Sequence, residues 1–195
     1  MSRTTTHSTP GPTTLSTDRM ILRPWKDDDY TPFYEMSSLP QVYEFLPPFP
    51  DKSACDAFVD KLRGDFSRRG WGFWALEHKE SGGFMGTAGM HEPGPEFGVG
   101  RPCVEMGWRL APAFWGKGFA TEAAREVMRF AFSELRLDEL VSFTAVGNKR
   151  SFAIMERLGM EREKEFDLLV IPEGSPVRRS YLYRLSRQQW LTRNG

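Results

Sequence analysis

The stretch from Val104 to Ala123 changes character twice, and it limits the possible folds more than any other part of the chain. Val104-Glu105-Met106-Gly107-Trp108-Arg109-Leu110 is apolar, β-prone and interrupted by one glycine, which predicts a strand bent or bulged at Gly107. Ala111-Pro112 closes it. Trp115-Gly116-Lys117-Gly118 then turns into a helix whose apolar positions, Ala120, Ala123, Ala124, Val127, Met128, Ala131 and Leu135, recur at helical spacing. Such a succession suits an anion, because the first amides of a helix lack intrahelical partners and the helix dipole adds positive charge there. Gly116 and Gly118 can take positive φ and let a phosphate approach the main chain, while Lys117 adds a mobile cation. Glu122 is discordant, since a carboxylate in the first turn competes with the anion unless it points outward.

Two phosphate loops fail to match. A P-loop needs Gly-x-x-x-x-Gly-Lys-Ser/Thr, but Gly118 follows Lys117 and Ala111 holds the upstream glycine position. A dinucleotide fingerprint needs Gly or Ala at Thr121 and an acid after the next strand, where Gly147-Asn148 stand. The string Trp115-Gly116-Lys117-Gly118-Phe119-Ala120-Thr121-Glu122-Ala123 instead resembles the pyrophosphate loop of the GCN5-related N-acetyltransferases (GNAT), specifically the ribosomal-protein N-terminal acetyltransferase branch (RimJ/RimL-like). The leading Arg or Gln of the family loop is absent, with Ala113 in its place.

The whole chain narrows the classes further. At 195 residues it suits one domain with a sizeable core, and 26 basic against 26 acidic residues create no global field for nucleic acid or an anionic membrane. No apolar run approaches the ~20 residues of a membrane span. Residues 1–14 are Ser/Thr/Pro-rich, predicting a disordered tail that includes His7, with a single domain over 15–195. The start lacks the apolar core of a signal peptide, so the cytoplasm is expected. Cys55 and Cys103 are too few for a disulfide framework and are read as free or buried thiols.

Along the chain, Met20 to Trp25 predicts a first strand stopped at Pro24, and Thr31-Pro32 a helix start running through Ser37, with Asp27 to Asp29 as solvated, dipole-matched charges. Gln41 to Pro50, rich in aromatics and prolines, predicts a loop without regular helix. Ser53 to Arg69 reads as an amphipathic helix with Phe58, Leu62 and Phe66 on one stripe and Gly70 past its end. Trp71–His78 and Phe84–Met90 form a predicted hairpin, with His78 exposed near its turn and His91 opening the next loop as a candidate to face a cleft. Glu139–Val146 alternates as a half-buried strand, Asn148 starts a short helix ending at Leu158-Gly159, and strands over Glu161–Val170 and Arg179–Leu185 close the domain.

This order also resembles the GNAT family, over Leu15 to about Trp190. The resemblance implies an α/β (α+β type) fold with a mixed, mostly antiparallel sheet of about seven strands and about four helices. It also implies acetyl-CoA as cosubstrate and a primary amine as acceptor, either a protein N-terminal α-amine or a small molecule such as an antibiotic. A catalytically silent acyl-CoA-binding module is the rival reading from another class. No metal is expected, and the state is monomer or homodimer.

Amines arrive mostly protonated, at pKa ~8 for an α-amino group or ~10.4 for lysine, so a base is needed. Glu105, just before Gly107, is the candidate base, direct or through water. The resemblance assigns the coenzyme to Trp108, Leu110, Trp115, Gly116, Lys117, Gly118, Phe119, Ala120, Thr121, Asn148 and Arg150. Asn148 doubles as helix N-cap and pantetheine ligand, and Arg150 as phosphate ligand or solvated cation. The tyrosine that acts as general acid in many relatives is Met155 here, which leaves Ser151 to hydrogen-bond or relay to the departing sulfur. Arg178-Arg179 is open between edge-strand charge and acceptor rim.

Overall fold

The computed structural model describes residues 13–194, so the expected tail lies outside the described residues except for Thr13 and Thr14. Thr13 donates its N–H to the Gly70 carbonyl at 3.0 Å and accepts from the Trp74 indole at 2.8 Å. Eight strands form one sheet in the order β1-β2-β3-β4-β5-β6-β8-β7. Leu15–Ser16 (β1) folds back on Met20–Arg23 (β2), which pairs with Phe73–His78 (β3), and β3 forms the expected hairpin with Phe84–His91 (β4). Six consecutive residues of β4 are buried, because helices cover both faces of the sheet there and no alternation is needed.

Glu105–Leu110 (β5) runs antiparallel to β4 in unbroken register from His91↔Glu105 to Gly86↔Leu110. The bulge expected at Gly107 is therefore absent. Gly107 meets a steric need instead, for a Cβ there would lie 3.2 Å from Glu105 Oε1 and 3.4 Å from the Phe73 ring. The irregularity is on the other edge of β5. Glu139–Ala145 (β6) runs parallel to β5 with one matched pair, Glu105↔Val141, after which the strands part. Arg179–Ser186 (β8) lies between β6 and the edge strand Glu161–Asp167 (β7). β7 ends three residues before the predicted Val170. Arg179 pairs with Glu165 at 3.1 Å and Asp167 at 3.3 Å, placing its charge across the edge pair.

The helices form two layers. Tyr30–Ser37 (α1), Pro40–Tyr43 (α2) and Lys52–Arg69 (α3) cover one face over a core of Trp25, Phe33, Met36, Val59 and Leu62. α1 begins one residue before the predicted Thr31 cap, following a 3-10 turn over Asp27–Asp29. Asp29 is not solvated. It is 2% exposed and takes a two-pronged bond from Arg23, at 2.7 and 2.8 Å, while Arg23 also reaches Glu77 at 2.5 Å. Pro40 fixes φ at a helix start and permits one turn within the stretch expected to lack helix. The buried stripe of α3 is Cys55, Val59, Leu62 and Phe66, with Phe58 at its margin; Asp51 caps the first turn through the Ala54 N–H at 2.8 Å.

On the opposite face Phe119–Arg129 (α4) packs Ala123, Ala124, Val127 and Met128 against Leu22, Trp74, Leu76 and Met106, then passes into a π-helical turn over Phe130–Glu134. Lys149–Arg157 (α5) lies beside it, and Arg187–Asn194 (α6), not predicted, follows directly from β8. Among the described residues no helix is long and apolar enough to cross a membrane.

Candidate active site

The glycine turn is built as its residues demand. Gly116 has φ 71° and Gly118 has φ 83°, values that side chains strain to adopt, and Gly118 is the N-cap of α4 with no side chain capping the helix. Among the described residues, none of the amides from Gly116 to Thr121 has an acceptor. A Cβ on Gly116 would meet nothing within 4 Å, and one on Gly118 only the tip of Arg19 at 3.5 Å, so the space in front of these amides is open. Glu122 does not compete for an anion. It accepts from Thr17 Oγ1 at 2.6 Å, from the Arg19 N–H at 3.1 Å and from Arg19 Nε at 2.7 Å. Burial alone would raise the Glu122 pKa, but these bonds together outweigh it and hold the carboxyl below its ordinary value. Arg19 also donates to the Lys117 carbonyl at 3.0 Å and lies 4.1 Å over the Phe119 ring, a brace from the β1–β2 turn that the local sequence does not announce.

This turn opens into a cleft of 1630 Å³, and every residue that the resemblance assigns to the coenzyme lines it except Lys117. Lys117 turns its ammonium back to the Ala113 carbonyl at 2.9 Å. The Trp115 indole donates to the Leu110 carbonyl at 2.7 Å, tying the end of β5 to the turn, and Arg150 lies 4.4 Å over the Trp115 ring while pairing with Glu44 at 2.9 Å. Asn148 caps α5, accepting from the Ser151 N–H at 3.2 Å and donating to Thr144 Oγ1 at 2.9 Å. The Ser151 hydroxyl is unpaired among the described residues and stands on the cleft wall. Met155, 1% exposed, belongs to the core. Arg125 and Arg157, two further exposed cations on the cleft, carry no ion pair among the described residues.

A second cavity, of 210 Å³, lies beyond the gap between β5 and β6 and shares Trp108, Arg109, Asn148 and Ser151 with the cleft. Glu105 lines it at 7% exposure. His91 Nε2 lies 2.9 Å from Glu105 Oε2, and its ring packs on Phe73 and Phe97 at 5.7 and 5.6 Å. His91 thus meets the acidic side chain of the site from behind, while Oε1 lies toward Gly107. His78 is far from this arrangement. Its ring packs on Phe114 and Phe119, half-buried where exposure was expected. The cysteines are free, and burial pushes both thiols up, Cys55 to about 11. Neither is poised as a nucleophilic thiolate.

A mixed sheet that parts between its one parallel pair, with an uncapped helix start beside the gap, defines the class of an acyl-CoA-dependent N-acyltransferase. The comparisons agree: the family model of the acetyltransferase (GNAT) domain matches residues 19–161. YnaD of Bacillus subtilis, named as an uncharacterized N-acetyltransferase, is 26% identical over 178 residues, 90% of this chain and 98% of that protein. YdaF of the same organism, whose name assigns it provisionally to ribosomal N-acetylation, is 38% identical over 88 residues, 45% of this chain and 47% of its own. A crystal structure of a GNAT-family acetyltransferase from Bacillus anthracis shares the fold at TM-score 0.76 and 23% identity, over 90% of this chain and 99% of that one. The chain belongs to the GNAT family and is an N-acetyltransferase, acting on an amine with acetyl-CoA as cosubstrate.

Proposed function

We propose that this enzyme transfers acetyl directly to a primary amine, with Glu105 as the base and Ser151 as hydrogen-bond donor to the departing sulfur. The observation that carries the reading is the junction of the two cavities, where the Glu105 pocket meets the cleft across a wall that includes the unpaired Ser151 hydroxyl. The amides from Gly116 to Thr121 hold the diphosphate, and Arg125, Arg157 and Arg150 offer charge to the remaining phosphate. Along β5 from Met106 to Leu110 the edge has no strand beside it, so its free N–H groups pair with the pantetheine arm and serve the developing oxyanion. Glu105, oriented by His91, takes one proton of the incoming ammonium; the amine adds to the thioester carbonyl, and the oxyanion adduct collapses with loss of the sulfur, which leaves as thiol with the second amine proton. The raised thiol pKa values favour this route over an acetyl-cysteine intermediate.

The acceptor is either a protein N-terminal α-amine, supported by the RimJ/RimL-like loop and by the name of YdaF, or a small amine. The 210 Å³ cavity favours the latter, or at most the first residue of a peptide, since pockets that bury drug-sized ligands measure roughly 300–1,000 Å³. A single domain over 15–195, cytoplasmic residence and a monomeric or homodimeric state complete the proposal, with the two free thiols supporting a reducing compartment. The test is thiol release from acetyl-CoA with a panel of peptide and small-molecule amines. Release with at least one amine is expected. Binding of acetyl-CoA without release from any amine would replace the proposal with a silent acyl-CoA-binding module.

A further inference from the structure

Arg109 stands on the same face of β5 as Glu105, two residues beyond Gly107. Four residues of an antiparallel strand span about 13–14 Å, so a carboxylate, a gap and a guanidinium follow one another along one wall of the acceptor cavity. The proton transfers described above make no use of Arg109.

Its surroundings are unlike those of the other inward-facing arginines. Arg23 and Arg184 each hold two carboxylates. Arg109, among the described residues, has no carboxylate within ion-pair distance. Its one hydrogen bond runs from Nη1 to Ser37 Oγ at 3.3 Å, and its Cζ lies 5.7 Å from both the Phe33 and the Phe49 ring centroids. Every buried side-chain nitrogen among the described residues has a partner, so the remaining nitrogens of Arg109 are not sealed from solvent, and the residue lines both the small cavity and the cleft. A guanidinium set between phenyl rings without a counter-ion is costly, and burial pushes its pKa down to about 10, which leaves it cationic at neutral pH. Its planar fork suits an oxyanion.

We infer that Arg109 sets acceptor specificity: the acceptor is a small amine that also carries a carboxylate or phosphate group, the anion held at Arg109 and the amine directed to Glu105. This rests on the direct-transfer reading above. Glu105 enforces the orientation, because its charge repels the anionic end and attracts the ammonium. The cavity of 210 Å³ and the bare Gly107 between the two charges leave room for a short linker and little more.

The experiment measures kcat/KM of the wild-type enzyme with matched pairs: amino acids against their amides, and phosphoethanolamine against ethanolamine. The anionic member of one pair is expected to exceed its neutral partner at least tenfold, and whichever pair shows it identifies carboxylate or phosphate. Arg109→Met should then lower kcat/KM for that acceptor at least tenfold, mainly through KM, and bring the ratio of anionic to neutral toward one. Arg109→Lys should keep part of the preference. Neutral amines equal to or better than anionic ones in the wild type would overturn the inference while leaving direct transfer intact. No thiol release from any amine would overturn both. The wild-type pairs decide even if the Met variant fails to fold.

Discussion

Glu105 and Gly107 illustrate how one side chain and one missing side chain share a task. The carboxylate lies against the space that a Cβ at residue 107 would enter, at 3.2 Å. Gly107→Ala is therefore expected to crowd the acceptor and lower kcat/KM for the amine by tenfold or more, read from initial rates, with acetyl-CoA affinity little changed. Glu105→Gln removes the proposed base, and general-base catalysis contributes roughly 10²–10⁴-fold. The pH profile of kcat should fall by that order, most steeply below neutral pH; wild-type rates at every pH would retire Glu105 from the role. Glu105 stands out in the sequence as a carboxylate just before a glycine in a β-prone run beside a recognisable turn. His91 was legible only as a loop-opening histidine, since its contact with Glu105 depends on the β4–β5 register. Arg109 gave no sign, because an arginine in a strand is ordinary until its missing counter-ion is known.

At the scale of elements, the turn from Trp115 to Thr121 was readable because positive φ and uncapped amides are local properties that glycine spacing reveals. Its brace was not, since Arg19 and Glu122 stand a hundred residues apart in the chain. The sign of the brace's pH dependence follows from the lowered Glu122 pKa. The stabilisation is fully present above the ordinary carboxylate value of 4.5 and is lost as pH falls through the lower folded value. Glu122→Gln should consequently lower the melting temperature at pH 7, with the gap to wild type closing below pH 4.5; a gap independent of pH would contradict the brace. α6 escaped prediction because Trp190 and Leu191 alone make no amphipathic stripe. Its start nevertheless carries a capping box, Ser186-x-x-Gln189, with reciprocal bonds of 2.9 and 3.2 Å. The bulge placed at Gly107 failed for a different reason: glycine in a strand signals either backbone freedom or close approach, and here it signals the second.

For the whole molecule, a mixed sheet flanked by helices follows from the order of runs and its resemblance to the GNAT family, about seven strands and four helices against the eight and six found among the described residues, while the parting of β5 from β6 needs three-dimensional pairing to be seen. The sheet is joined to the α1–α3 layer by a buried charge cluster. Arg23 on β2 links Asp29 at the start of α1 to Glu77 on β3, with side-chain exposures of 11, 3 and 20%. Asp29→Ala leaves Arg23 short of a buried partner, at a cost of about 3–5 kcal/mol. Each kcal/mol shifts the melting temperature by roughly 2–4 °C at this size, so a drop of about 6–20 °C is expected by calorimetry. A shift under about 2 °C would show the cluster to be energetically neutral.

The proposed transfer depends on main-chain amides between Gly116 and Thr121 holding the diphosphate of acetyl-CoA. Titration of ¹⁵N-labelled protein with acetyl-CoA, followed through the backbone amide resonances, tests this directly: Gly116, Gly118 and the amides through Thr121 should show the largest shifts, and Gly118→Asp should abolish them together with binding. Saturable binding that leaves those resonances unmoved, or that survives Gly118→Asp unchanged, would contradict it.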